Sequence, residues 1–194
     1  MTSIAIIQGH PDNTKTHLCH ALADAYAEGA LAGGHTVARI EVAELDFPLL
    51  RSQEDWQAGK EATPSGLRDA QEACMSADHL VLLYPLWLGT LPALLKGFLE
   101  QAFRPGVALS YGEGFPKGLM KGKSARVIVT MGMPALAYRF YFGAHSLKSL
   151  QRNILGFVGI SPIRNTVLGM VENVGEKRRK IWREKMRKFG EQAH

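Results

Sequence analysis

Three short segments hold residues whose types and spacing suit chemistry. The first is Gly9-His10-Pro11-Asp12-Asn13-Thr14-Lys15-Thr16-His17. It joins an apolar run to a helical pattern, so free backbone N–H groups and the positive end of a helix dipole favour an anion there. Thr14 and Thr16 add hydroxyl donors, and Lys15, His10 and His17 add positive character, which suits a phosphate monoester. Thr16 would serve equally as a plain helix cap. The segment is neither GxGxxG nor the GK[ST] of a P-loop, which argues against a dinucleotide Rossmann site and an NTPase. His10, His17 and His20 have no carboxylate pair to complete a metal site, and no metal is expected.

The second segment, Pro85-Leu86-Trp87-Leu88-Gly89-Thr90-Leu91-Pro92, places two large apolar side chains beside a glycine. An apolar wall with backbone donors suits a flat aromatic ring system, though a tryptophan packed in the core would read the same. The third runs from Thr130-Met131-Gly132-Met133 to His145, with Tyr138 and His145 as candidate polar groups. GxSxG and HExxH are missing, and Asp12 and Glu113 form no evident catalytic pair.

The elements that must position these segments alternate. Ser3 to Gln8 reads as a buried strand. Leu18, Leu22, Ala25 and Leu31 predict a helix stopped by Gly33-Gly34, and His35 to Val42 a second strand. Residues 43–66 read as a polar connection, followed by a helix over 67–77. His79 to Tyr84, almost wholly apolar, is the expected central strand, and a helix from Pro92 to Phe103 follows it. Residues 106–123 read as irregular, Ala125 to Thr130 as a strand, 131–143 as a loop, 145–155 as a helix, and 161–171 as holding the fifth strand. A last helix covers 174–192, with Trp182, Met186 and Phe189 on one face. Five alternations predict a doubly wound five-stranded parallel α/β sheet with helices on both faces, in one domain spanning 1–194. Ligands of such sheets lie outside the carboxyl ends of the strands, where all three segments fall.

Together the segments resemble the flavodoxin-like NAD(P)H:quinone oxidoreductases, a family that includes ancillary subunits of glutathione-gated potassium efflux systems. Pro85 to Phe103, with Pro92-Ala93-Leu94-Leu95-Lys96-Gly97-Phe98, is similar to the family's proline, aromatic loop and "PALLKGW" helix. Gly9-His10-Pro11 with Thr16-His17 is similar to its phosphate loop, and Gly143-Ala144-His145 to its histidine after the flavin loop. The resemblance implies a bound flavin, FMN with FAD as the alternative, reduced by NAD(P)H and reoxidised by a quinone or similar planar acceptor in a ping-pong cycle. It implies that His10, Thr16, His17, Leu18 and Cys19 surround the phosphate. Pro85, Leu86, Trp87 and Leu88 would line the ring, and Thr130, Met131, Gly132 and Met133 its pyrimidine side. Tyr138, or Tyr141 if the spacing slides, would pair with His145 to stabilise negative charge, and Phe140, Tyr141, Phe142 and Tyr111 would wall the acceptor pocket. A homodimer is also implied. The chain departs from the family pattern at Leu88, where a second aromatic is usual, and at Met131 and Met133. The other function the resemblance allows is a flavin-binding regulatory subunit of a potassium efflux system.

Composition sets the remaining bounds. Apolar residues make up 46% and charged residues 21% of 194, as in an ordinary globular chain, which excludes disordered and fibrous classes. Cys19 and Cys74 form neither a CxxC nor a zinc pattern. Eight Lys/Arg and three Asp/Glu fall in residues 175–194, so the net charge of +5 belongs to the basic C-terminal helix, and residues 1–174 balance to zero. Nucleic acid is therefore not the expected partner; a solvated face is the expected role of that helix, with anionic lipid, an acidic partner or nucleic acid as the alternatives to it. Met1 to Gly9 lacks the basic region of a signal peptide, and Leu80 to Leu95 is broken by Pro85, Gly89 and Pro92. The expectation is a cytoplasmic protein.

Overall fold

The computed structural model describes residues 1–193. The ordered elements are β1 (Ser3–Gln8), α1 (Leu18–Ala32), β2 (Thr36–Glu41), α2 (Gln53–Gln57), α3 (Arg68–Ser76), β3 (His79–Pro85) and α4 (Ala93–Ala102). They continue with β4 (Leu109–Ser110), β5 (Lys117–Gly118), β6 (Ser124–Thr130), α5 (His145–Ser149), β7 (Ile163–Leu168) and α6 (Glu176–Glu191). The main sheet is parallel throughout, in the order β2-β1-β3-β6-β7. The chain leaves β1 for one side and then returns past it to the other, so the strand order reverses between β1 and β3. A crevice must open there, between the loops that follow those two strands.

The strand sequences dictate two cores. Alternate residues of β3 face opposite ways. Leu80, Leu82 and Tyr84 pack with Ala5 and Ile7 beneath α3, α4 and α5, while Val81 and Leu83 pack with Ile4 and Ile6 beneath α1 and α6. All seven residues of β3 are buried, as its run of apolar types requires of a central parallel strand.

Helix α1 differs in detail from its expected face. Leu22 and Ala25 are buried, but Leu31 is exposed, because nine helical residues place it half a turn out of phase with Leu22. Tyr26 and Ala30 fill the core instead. The helix begins after His17, not Thr16, and the His17 N–H donates to Nδ1 of His20 at 3.1 Å.

Residues 43–66, expected as a plain polar connection, contain α2 and single helical turns at 42–44, 59–62 and 65–67. Buried polar groups anchor this segment. Arg104 donates to the carbonyls of Asp55 (3.0 Å) and Gly59 (3.4 Å), and Gln101 donates to that of Pro48 at 2.6 Å. Residues 106–123 are not wholly irregular either, since β4 and β5 pair as an antiparallel hairpin. The loop 131–143 holds a π-helical turn at Ala137–Tyr141, and the helix expected over 145–155 continues from α5 as a second such turn, Leu150–Leu155.

Helices α1 and α6 approach to backbone contact through reciprocal glycines. A Cβ added at Gly29 would fall on the carbonyl oxygen of Arg187, and one at Gly190 on that of Tyr26. No rotamer change relieves a clash with a carbonyl, so Gly29→Ala must push the helices apart and unseat Trp182 and Met186. Despite the better helix propensity of alanine, this variant should lose about 2–3 kcal/mol of unfolding free energy, read from urea midpoints. Gly112→Ala, in a loop with open space around it, should stay within about 0.5 kcal/mol of wild type.

Candidate active site

The first loop leaves β1 through Gly9, whose N–H donates to the Leu83 carbonyl at 2.8 Å. A Cβ on Gly9 would meet the Leu95 side chain at 2.6 Å, so the glycine lets Leu95 of α4 pack directly on this loop. Beyond it the chain folds around two side chains. Gln8 Oε1 accepts from the His10 N–H, and His10 Nδ1 accepts from the Asp12 N–H at 3.1 Å. Asp12 Oδ1 then accepts from the Thr14 N–H (2.9 Å) and hydroxyl (2.6 Å), while Oδ2 lies 2.7 Å from His17 Nε2. The imidazoles of His10 and His17 stack at 3.9 Å, and Trp87 meets His10 edge-on at 5.8 Å.

This arrangement sets the charges. The Thr14 hydroxyl, and then His17, hold the Asp12 carboxyl well below the usual range, so it is ionised at neutral pH. Burial, with His17 and His20 nearby, pushes His10 down to about 4. His10 is therefore neutral, and because Nδ1 accepts, its proton sits on Nε2. Burial lowers His20 in the same direction. Among the described residues, the backbone N–H groups of Thr16, Leu18 and Cys19 donate to no protein acceptor. They lie at the start of the fifteen-residue α1. Gln8 Nε2 is also buried without a partner.

The second loop is a tight turn. Trp87 and Thr90 exchange both backbone hydrogen bonds, at 2.9 and 3.0 Å. Leu88 (φ 45°) and Gly89 (φ 78°) form its tip, the two left-handed positions of a type I′ turn. Leu88 is fully exposed, Trp87 about half so, and the N–H groups of Leu88 and Gly89 make no bond among the described residues. Trp87 and Leu88 also line a cleft of about 400 Å³ with Pro92, Lys96, Ser146 and Ile154.

The third loop is pinned to its neighbours. The Leu86 N–H donates to the Thr130 carbonyl (2.7 Å), and the Met131 N–H to that of Leu168 (2.9 Å). The Thr130 hydroxyl lies 3.1 Å from Cys19 Sγ, so the end of β6 touches the start of α1. Burial drives the Cys19 thiol up to about 12, which leaves it neutral and unreactive. Cys19 can meet a ligand through its backbone alone. Met131 is buried, Met133 is half-buried and Gly132 is exposed. The N–H groups of Gly132 and Met133 have no protein partner among the described residues.

Tyr138 and His145 sit at two ends of one turn, with no hydrogen bond between them among the described residues. The Tyr138 ring is buried; its hydroxyl accepts from the Leu147 N–H (3.1 Å) and lies 2.8 Å from Ser146 Oγ. It holds the start of α5. His145 is exposed, with its ring folded against Gly143. Phe140 and Tyr141 are largely exposed on the intervening turn. Tyr111 lies elsewhere, in a separate cleft with Trp56 and Pro105.

The structure thus brings His10, Thr16, His17, Leu18 and Cys19 to one end of the β1/β3 crevice, with Pro85 to Leu88 and Thr130 to Met133 along it. What residue types alone did not reveal is the part of Asp12, the hub of the first loop. Its signal was present in Asp12-Asn13-Thr14, a pattern that favours a side-chain-to-backbone turn.

Against this geometry, the flavodoxin-like fold family matches residues 2–193 of the chain. The chain belongs to that family. Among curated relatives, an uncharacterized NAD(P)H oxidoreductase of Haemophilus influenzae is 27% identical over 177 residues, covering 90% of this chain and 87% of its own. An FMN-dependent NADH:quinone oxidoreductase of Nitratidesulfovibrio vulgaris is 28% identical over 182 residues, covering 87% and 86%. An NAD(P)H:quinone oxidoreductase from Methanothermobacter marburgensis has the same fold, with a TM-score of 0.82 at 23% identity over 100% of this chain and 99% of its own.

For this member of the family, the first loop makes stability depend on pH. The folded value of His10 lies below the ordinary 6.5, so the unfolded chain binds more protons between 6.5 and about 4. Its contribution is full above pH 6.5 and is lost as the pH falls towards 4. Unfolding free energies from pH 7 to 4 should fall more steeply for wild type than for His10→Gln. A second outcome concerns the turn tip. Leu88→Asn should raise the unfolding free energy by about 1 kcal/mol in the same assay, because asparagine tolerates the left-handed conformation that leucine adopts there under strain.

Proposed function

We propose that this chain is an FMN-dependent oxidoreductase that takes a hydride from NAD(P)H and passes it to a quinone or similar planar acceptor. The observation that carries this reading is the set of unpartnered backbone donors at the β1/β3 crevice, in two groups of different surroundings. Thr16, Leu18 and Cys19 lie at a helix N-terminus, where the dipole and three N–H groups suit a phosphate. Leu88 and Gly89 lie beside the indole of Trp87, and Gly132 and Met133 follow β6, whose end is tied to the same loop through the Leu86 N–H and the Thr130 carbonyl; free donors next to an apolar side chain suit a heterocycle with polar edges and an apolar face. The residues therefore fit FMN, and the curated relatives that resemble the chain over most of its length carry the names of enzymes, one of them FMN-dependent. That favours turnover over a purely regulatory role in potassium efflux.

Bound FMN supplies the hydride chemistry; the protein supplies position and electrostatics. In our reading the first loop holds the phosphate. The neutral His10 offers its Nε2–H, and the Thr16 hydroxyl adds a donor at the exposed rim. Asp12 stays paired with His17, which keeps its negative charge from facing the phosphate alone. Pro85 to Leu88 and Thr130 to Met133 form the walls. His145 would offer an imidazole to stabilise negative charge beside a bound flavin, and Tyr138, committed to the start of α5, would hold that turn in place. The exposed Leu136, Phe140, Tyr141 and Phe142 support a homodimer, in which a second copy would cover them. No helix among the described residues is long and apolar enough to cross a membrane.

The test is the visible spectrum after incubation with FMN, followed by anaerobic NADH or NADPH and then a quinone. The expected result is a bound flavin that bleaches with nicotinamide and recovers with the quinone; failure to bind any flavin would end the reading. Thr16→Ala should weaken FMN binding by about tenfold, the cost of a hydrogen bond to a charged group, and leave riboflavin binding unchanged. Fluorescence titration with the two flavins separates these outcomes.

A further inference from the structure

Helix α6 carries the whole net charge of the chain, and its two sides treat that charge differently. Towards α1 the cations are engaged. Arg183 pairs with Glu176, and Arg187 lies 3.9 Å from Glu28 and 3.7 Å from Glu184. Arg179 donates to the carbonyls of Val174 (3.2 Å) and Val171 (3.4 Å). The opposite side follows from helical geometry. At about 100° per residue, Arg178 falls back over the Trp182 ring (5.3 Å), while the stripe facing away from Trp182 and Met186 holds Lys177, Lys180, Ile181, Glu184 and Lys188, with Lys185 as a sixth member at its edge. All six are exposed.

Among the described residues, none of the four cations on this stripe has a carboxylate within 4.0 Å, and its one carboxylate, Glu184, is turned towards Arg187. The cations span about 17 Å along the helix. Between them stands Ile181, 58% exposed. It lies opposite the packing face, so it is no frayed edge of the core.

We propose that this face docks on an anionic lipid bilayer. The helix lies flat in the interface, with Lys177, Lys185 and Lys188 at the headgroup phosphates and Ile181 at the acyl boundary. Charge complementarity carries the choice of an anionic partner, and two observations select lipid over nucleic acid. A polyphosphate backbone would use the lysines but leave Ile181 without an apolar contact. Residues 1–174 balance to zero and add no basic cradle for a strand or duplex. The same balance means that the body does not repel an anionic surface, so the helix alone sets the attraction. Three or four cations with one isoleucine give reversible attachment that salt weakens. The proposal stands apart from the proposed reaction and would survive its failure.

The test is flotation of the full-length, FMN-incubated protein with vesicles of phosphatidylglycerol and phosphatidylcholine, against phosphatidylcholine alone. Wild type should float with the anionic vesicles only and be released at about 0.5 M salt. Lys177→Gln/Lys185→Gln/Lys188→Gln should lower the vesicle affinity at least about tenfold, and Ile181→Ser should lower it about threefold with the charge unchanged. These residues face away from α1, and equal urea midpoints would confirm that each variant is folded. Equal flotation with both vesicle types, or none with either, would overturn the proposal. So would an Ile181→Ser variant that floats as well as wild type while a short DNA duplex strips either protein from the vesicles, since the face would then be a general polyanion patch.

Discussion

Two backbone hydrogen bonds at the carboxyl end of β3 hold the site together. The Gly9 N–H reaches the Leu83 carbonyl, and the Leu86 N–H reaches that of Thr130. Each extends the ladder of the parallel sheet just beyond the regular strands, so the loops after β1, β3 and β6 leave the sheet side by side. Because β3 is buried along its whole length, these bonds are shielded from water, and opening one would leave a donor and an acceptor unpaired in the interior. The thiol–hydroxyl contact between Cys19 and Thr130 adds a third tie, from the start of α1 to the end of β6. The crevice thus has a rigid floor, and its exposed donors rise from it on short lengths of chain.

Within that frame the first loop uses charge to keep its shape. An ionised carboxylate stands within the very loop that offers donors to an anion, which looks self-defeating until its bonds are followed. Asp12 spends both oxygens on Thr14 and His17, and the stacking of His17 on His10 then leads through Trp87 to the second loop. A neutral His10 brings no charge of its own into this stack.

Much of this was legible in the residues. The apolar strand from His79, the prolines at 85 and 92 and the glycine pair after α1 mark element types and order. The strand order then places the three segments together. The phosphate loop and ring walls were legible as segments because backbone donors need no particular side chain. What stayed hidden depended on direction. Tyr138 and His145 lie seven residues apart, and no spacing rule shows that one ring turns into the core while the other stays outside. Leu31 misled for a simpler reason: it is apolar, but on the wrong phase of the helix. The helical turns within 43–66 escaped notice because their anchors, Gln101 and Arg104, lie far away in sequence and read as ordinary polar residues at the end of α4.

The glycine contacts between α1 and α6 also bear on what kind of object the last helix is. Its charges suggest an appended tail, yet its inner face is part of the second core, and the ring of Phe189 lies 3.7 Å from the guanidinium of the buried Arg126. Cutting the chain before α6 would not trim an ornament. It would open Ile4, Ile6, Val81 and Leu83 to solvent from that side and strip Arg126 of its aromatic cover, leaving a sticky half-sandwich in place of a smaller domain. The outermost residues, Lys177, Ile181 and Lys188, by contrast, make no hydrogen bond or ion pair with the rest of the fold among the described residues. One helix therefore answers to two separate demands: an inner sequence that cannot drift without unfolding the protein, and an outer one whose changes the fold itself would not feel.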